Sequence, residues 1–373
     1  LNLLRLLKPA SATSKPSSPF SWGDQLMDGL GRVSKRLFWV TVFLACLSTV
    51  LGYLGGWCWV MDLFAHFRME YLIVQMIGCA LLGVARRPRW SLAVLLFALL
   101  NAREIIPFFL PTPQQHWVKH HEEVLRNNGL PRLRVLQSNV LFTNTETQWI
   151  QLYLRQTQPD VAAFVEALNH WGPALLENPA LRRQYPYYFH AADLLVMSRQ
   201  PLRVIQPPSV QVGDPEHYFM VVETTSPDHR PVRLLVMHTG IPLTSRNAAS
   251  LRRVFGLIAE KTPEWTAGGV PLVVVGDYNA TPWSTFYQIL LRSKHLYDGR
   301  TGFGPQPTWP AMLPLLYIPI DNTLMSRNLV MLSRRVGPYV GSDHFPVLND
   351  IGFMPTGWQD VRSPGPTQLF NKP

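Results

Sequence analysis

The stretch VPLVVVGDYNATPWS, Val270 to Ser284, sets a carboxylate, Asp277, and an amide, Asn279, directly after an apolar run. At strand spacing, residues two apart share a face, so both side chains would reach into one place at a strand's end. Burying either without a partner costs kilocalories per mole. A turn is the competing reading, since Gly-Asp and Asn-Ala-Thr-Pro both favour turns. The same event recurs along the chain. Asn139 follows RVLQS, Glu166 follows VAAFV, His238 follows RLLVM, Asp321 follows YIPI, and Ser342-Asp343-His344 precedes the apolar FPVL. Singly, each fits a cap or a turn. Together they predict one polar edge where carboxylates, amides and two imidazoles converge.

Carboxylates with amide oxygens and no thiolate suit a hard cation such as Mg²⁺ or Mn²⁺. Magnesium keeps much of its water and needs few protein carboxylates, so it pairs naturally with a phosphate substrate. Histidine takes a proton from water or gives one to a leaving oxygen near neutral pH. This kit suffices for phosphoester hydrolysis. A Ser-His-Asp hydrolase is a poorer account, because no G-x-S-x-G elbow accompanies Ser342. Walker and dinucleotide glycine patterns are also missing from the sequence.

The elements that must carry these residues alternate. LRVLQSNVLF, DVAAFVEAL, PVRLLVMHTG and PLVVVGDYN read as strands; ETQWIQLYLRQTQ, NAASLRRVFGLIAEK and STFYQILLRSKH read as helices with apolar residues at helical spacing. Apolar strands alternating with amphipathic helices indicate an α/β domain over residues 132–353. A Pro/Gly-rich tail, 354–373, follows.

The N-terminal part is of another kind. Leu37 to Trp57 runs 21 residues without a charge, enough to cross a bilayer core about 30 Å thick. Residues 66–85 and 90–110 are second and third candidates; Asn101, Arg103 and Glu104 fall inside the third, and Arg103 and Glu104 read as approaching the interface where the helix ends rather than as a buried functional pair. Six Lys/Arg precede the first segment within residues 1–36, and Arg86, Arg87 and Arg89 separate the second from the third. The positive-inside rule then sets the N-terminus in the cytoplasm, and three crossings carry everything past the linker 111–131 to the outer face. His116, His120 and His121 in that linker read as a solvated stretch rather than metal ligands.

The whole chain of 373 residues carries 34 Lys/Arg and 24 Asp/Glu, and most of the excess flanks apolar segments. A pI of 9.7 is therefore poor support for nucleic-acid binding. All three cysteines, Cys46, Cys58 and Cys79, lie in the apolar part, which excludes a disulfide framework or thiolate metal site beyond it.

The ordered set QSNV, FVEAL, MSRQPL, MHTGIP, GDYN, PTWP, PID and GSDHFPV resembles the endonuclease/exonuclease/phosphatase superfamily between about Leu133 and Ile351. With its apolar prefix, the chain is similar to the membrane-anchored bacterial branch. The resemblance implies a four-layer sandwich of two mixed β-sheets flanked by helices, preceded by two to three transmembrane helices. It implies a Mg²⁺ (or Mn²⁺)-dependent phosphoester hydrolase, nuclease-like or phosphodiesterase-like, on the outer or periplasmic side of a bacterial membrane. Glu166 would bind the metal, with Asn139 nearby and Asp343 assisting. His344 would act as general base, oriented by Asp321, and Asp277 would position the nucleophile. Asn279 would bond a phosphate oxygen, as would Asn139, while His238 would contact the phosphate and serve the leaving side.

Two departures stand out: Asn322 gives IDN where many members have IDH, and Val140 follows Asn139 where some carry a further acidic ligand. The substrate stays open between nucleic acid, a phospholipid head group and a soluble phosphoester, and no obligate protein partner is evident. A membrane-anchored binding protein without turnover is the alternative from another class.

Overall fold

The structure is a computed structural model that describes residues 31–121, 130–208, 218–292 and 294–355. The basic stretch up to residue 30, the linker residues 122–129 and the tail from 356 lie outside the described residues.

Among the described residues, twelve strands form two mixed six-stranded sheets. In chain order they are β1 (Arg132–Asn139), β2 (Val161–Val165), β3 (Tyr187–Ala191), β4 (Leu194–Ser198), β5 (Arg203–Gln206) and β6 (Tyr218–Thr225). Then come β7 (Pro231–His238), β8 (Leu272–Asp277), β9 (Leu296–Asp298), β10 (Asp321–Ser326), β11 (Leu329–Val336) and β12 (Val347–Phe353). One sheet has the order β11-β12-β1-β2-β4-β3, the other β5-β6-β7-β8-β10-β9.

The continuous apolar runs read from the sequence have a simple cause. In β8, Val273 and Val275 enter the core between the sheets, whereas Leu272 and Val274 pack beneath the helix Ser245–Trp265. In β2, Val161, Ala163 and Val165 face the opposite sheet. Ala162 and Phe164 lie under the helices Thr147–Thr157 and Trp171–Leu176, against Ile150, Leu154 and Trp171. A strand covered on both faces has no polar side to show. The layers therefore run helix, sheet, sheet, helix.

Direction matters more for the site. β1 and β2 are parallel, as are β7 and β8, and they end at Asn139, Val165, His238 and Asp277. β10 runs antiparallel to β8 and begins at the same edge, Asp321 opposite Asp277. β12 is antiparallel to β1, so the loop holding His344 arrives there too. Asp321 thus opens a strand rather than closing one: Tyr317–Ile320 is no strand, and only Ile318 forms a bridge, to Trp309. Starts of antiparallel strands and ends of parallel ones share one edge.

The N-terminal helices Arg32–Tyr53, Arg68–Val84 and Pro88–Ile105 pack together. The first, and a stretch beginning at Pro88, are long and apolar enough to cross a membrane. Arg68–Val84 qualifies only together with Trp59–Ala65, across a 60° bend. The first helix stops at Tyr53, short of the expected Trp57, because the chain folds back on itself. A Cβ on Gly55 would stand 2.7 Å from the Asp62 carboxylate. Asn101 is buried and donates to Thr49 Oγ1 at 2.8 Å and Gln75 Oε1 at 3.0 Å, tying all three helices. Interhelical bonds of this kind hold apolar helices together where lipid gives no hydrophobic drive. In the linker, His121 stacks on Trp117 with ring centroids 4.3 Å apart.

Candidate active site

The predicted residues meet in one cleft of about 850 Å³ at the shared strand edge. Glu166, His238, Asp277, Asn279, Asp343 and His344 line it. Asn139 and Asp321 sit just behind, both buried. All eight converge.

Asn139 is the hub. Its Nδ2 donates to Glu166 Oε1 at 2.8 Å and to Asp277 Oδ2 at 3.1 Å, which joins the two sheets. Its Oδ1 accepts from the Leu141 backbone at 3.0 Å. Glu166 takes a second donor, the Phe142 amide, at 3.2 Å. Glu166 lies in the left-handed region at φ 56°, as does Asn279 at φ 44°. Such strain in non-glycine residues gathers where a fold must aim a side chain. Gly276 answers why glycine precedes Asp277: a Cβ there would stand 1.9 Å from the Met237 carbonyl oxygen on the neighbouring strand.

His344 Nδ1 bonds Asp321 Oδ2 at 2.9 Å, and its Nε2 faces Asp277 Oδ2 at 3.6 Å. Burial alone would lower His344, but the Asp321 and Asp277 carboxylates outweigh it and hold the imidazolium up to about 10. Burial pushes Asp277 up to about 6, with His344 pulling the other way. His238 Nδ1 bonds Asp193 Oδ2 at 2.5 Å, leaving Nε2 3.7 Å from Glu166 Oε1. Burial works against that proton too, yet the Asp193 bond and charge raise His238 overall.

Asp193 is the residue that reading strand ends missed. It immediately precedes the fully buried β4, and Asp321 is the first residue of β10, so reading strand starts would have found it. Trp309 Nε1 donates to Asp343 Oδ2 at 3.0 Å and lines the cleft. Ser342 is buried; its Oγ donates to the Asn139 carbonyl at 2.8 Å and accepts from the His344 amide at 3.1 Å. It pins the His344 loop to β1. The Asn279 amide Nδ2 donates to the Thr239 carbonyl at 2.5 Å, which fixes the side chain in the cleft wall and leaves its second N–H uncommitted. Asn322 also does structural work, bonding Arg300, the Ala280 carbonyl and the Ile320 carbonyl.

The donor set fits a hard divalent cation. Four carboxylates, Glu166, Asp193, Asp277 and Asp343, line one cleft. Asp343 Oδ1 is buried with no hydrogen-bond partner, an expensive state for a carboxylate oxygen that a cation would relieve. Among the described residues, Asp277, Asp321 and His344 form a group whose ligand atoms lie within 4.8 Å of one another, close enough to hold a metal.

A sheet sandwich with such a cleft at its edge defines a class of hydrolase, and the sequence agrees. Residues 136–344 match the Endonuclease/Exonuclease/phosphatase family. The chain belongs to that family, and is a hydrolase acting on phosphoester bonds. Among solved structures it is similar to a humanized D. rerio TDP2, at 13% identity and TM-score 0.49, covering 59% of this chain and 99% of that one. The human Nocturnin catalytic domain is similar at 17% identity and TM-score 0.49, covering 60% and 96%. A Bacteroides vulgatus endonuclease/exonuclease/phosphatase is similar at 16% and 0.48, covering 60% and 99%. Comparison with curated proteins gives no match.

Proposed function

We propose that this chain is a membrane-anchored, divalent-metal-dependent phosphodiesterase of the bacterial cell surface. The observation that carries the reading is the meeting of Asn139, Glu166, Asp277 and His344 from both sheets, with His344 held by Asp321.

In this reading Asp321 fixes the His344 ring, so that Nε2 faces the cleft and takes a proton from the attacking water. Asp277, within 3.6 Å of that nitrogen, orients the water. His238, held by Asp193, faces the phosphoryl group and supplies a proton to the leaving oxygen. The cation belongs on the Glu166 side, with Asn139 and Asp343 beside it, because the Asp321 carboxylate is engaged by His344. When bound, Mg²⁺ or Mn²⁺ would neutralise phosphoryl charge and counter the carboxylate field that otherwise holds the His344 proton. Asn279, held by its bond to Thr239 and lining the cleft, offers its second amide N–H to a phosphate oxygen.

Anchoring is supported by two helices long and apolar enough to cross a membrane, and by a third if Arg68–Val84 is counted with the bent Trp59–Ala65. Arg86, Arg87 and Arg89 stand at the bundle end reached after Arg68–Val84, away from Tyr53 and Arg68. By the positive-inside rule that end is cytoplasmic and the catalytic domain is periplasmic.

The test is turnover of bis(p-nitrophenyl) phosphate by the full chain with Mg²⁺ or Mn²⁺. Activity should vanish with chelator and fall at least about 10³-fold in Glu166→Ala, with the fold intact by circular dichroism. Folded wild type without turnover, with either metal, would leave a binding protein instead.

A further inference from the structure

The catalytic cleft has one wall that belongs to the helical bundle. Leu63, His66 and Phe67, from the connection between the first two long helices, line it together with Glu166, Asp277 and His344. This wall is fixed. Asp62 is fully buried and accepts from Ser284 Oγ at 2.6 Å, the Thr285 amide at 2.7 Å and Thr285 Oγ1 at 2.8 Å. His66 Nδ1 lies 3.1 Å from Thr281 Oγ1, and Trp283 Nε1 donates to the Glu104 carbonyl at 3.2 Å. Phe108 O accepts from Gly302 and Gly304, both at 2.8 Å.

The ends of all three helices gather at this place. Arg68 lies 4.2 Å over the Tyr53 ring, and the Tyr53 hydroxyl donates to the Leu100 carbonyl. The cleft therefore sits where the bundle's apolar surface gives way to the catalytic domain.

The rim is apolar as well. Ile241 and Leu243, 51% and 62% exposed, line the cleft with the exposed Phe142 and Leu168. Beyond Trp309, the loop carrying Met312, Leu313, Leu315 and Leu316 continues that surface outward, Leu315 being 87% exposed. Exposed apolar surface of this extent marks a contact site. No Lys or Arg is among the described residues lining the cleft. A nucleic acid is held by cations along its backbone, and a small soluble ester gains nothing from an apolar apron. A lipid presents both a phosphoryl group and acyl chains.

We propose that the substrate is a phospholipid of the bilayer that holds the helices, drawn head first over the Ile241–Leu243 and Met312–Leu316 loops into the cleft. This rests on the hydrolase reading above and names its substrate. The water oxygen bonds to phosphorus, one phosphorus–oxygen ester bond breaks, and the leaving alkoxide takes a proton to become the free alcohol. The phosphorylated and alcohol fragments part at the membrane surface.

The test uses full-length protein in vesicles of equal parts phosphatidylethanolamine, phosphatidylglycerol, phosphatidylcholine and phosphatidylinositol, with Mg²⁺. Parallel arms supply the same lipids with six-carbon chains as monomers, and bis(p-nitrophenyl) phosphate. Cleavage of vesicle lipid should exceed that of the monomers at matched phosphate. The double variant Leu313→Glu/Leu315→Glu, on exposed loop positions outside the cleft, should lower vesicle cleavage about tenfold, as expected for losing the burial of a leucine. Its rate on the soluble ester should stay within about twofold of wild type, since neither side chain reaches the reacting group. Turnover of the soluble ester with every lipid left intact overturns the substrate proposal and leaves the hydrolase standing. Equal losses on both substrates in the double variant also overturn it. No turnover of anything removes the hydrolase reading, and this proposal with it.

Discussion

Two buried polar clusters lie within one wall of each other, and they are solved in opposite ways. Where the bundle docks, a single carboxylate, Asp62, accepts from three donors on Ser284 and Thr285, with both oxygens engaged. In the cleft, Glu166, Asp193, Asp277 and Asp343 crowd around two histidines, and Asp193 Oδ1 and Asp343 Oδ1 have no partner. A fully satisfied carboxylate stabilises a joint; it has nothing left to offer a ligand. A crowd of like charges with open valences costs stability and persists only where something else uses it. Sealed against open is the difference between a structural and a chemical use of the same functional group.

The comparison breaks most visibly at Asp321. Asp321→Asn keeps the shape of the side chain but removes the charge that favours imidazolium at His344. We expect kcat on bis(p-nitrophenyl) phosphate to fall by about 10²–10⁴-fold, the span over which a positioned acid/base contributes. The thermal unfolding midpoint near pH 7 should fall as well, because the folded-state imidazolium loses its strongest partner. A rate within a few-fold of wild type would take His344 out of proton transfer.

The joint should answer the other way. Asp62→Ala leaves the Thr285 amide at the start of the helix Thr285–Arg292 and two hydroxyls without their acceptor. Loss of a cap and stranded buried donors together should cost about 2–4 kcal/mol of stability, read by denaturant unfolding of the full chain. Asp62→Asn, retaining one acceptor oxygen, should cost less. If Asp62→Ala unfolds like wild type, the bundle and the catalytic domain are not coupled at this joint.

The two clusters also differed in how far the sequence revealed them. The cleft was legible because each of the residues read for it borders an apolar stretch of sequence, and a polar residue there needs a reason. Two sheets of alternating direction then bring those residues to one edge. Asp193 escaped because it sits in the turn between β3 and β4, where a polar residue raises no question. The joint was not legible. Asp62 sits 222 residues from Ser284 in an unremarkable WVMDLF, and pairing at that separation has no periodic signature. For the same reason the first helix was expected to run to Trp57, where docking of Asp62 against Gly55 ends it at Tyr53.

The smallest effect separates the clusters by charge alone. In the metal-free protein the folded state holds the His344 proton up to about 10, against about 6.5 for an unfolded chain. The folded state thus binds that proton more tightly. The stability it contributes is complete below about 6.5 and is lost as pH rises toward the folded value. Asp277, raised to about 6, acts in the same sense at lower pH. Chelator-treated wild type should therefore lose stability steadily between about pH 6.5 and 10, measured by denaturant midpoints. Asp321→Asn, which removes the largest charge opposing burial at His344, should show a shallower decline over that window. Over that same window Asp62→Asn should shift the curve down and leave its slope alone, because Asp62 lies outside the carboxylate crowd that holds the His344 proton. Equal slopes in wild type and Asp321→Asn would mean that the carboxylate crowd does not hold the histidine's proton, and the contrast between an open and a sealed cluster would lose its electrostatic half.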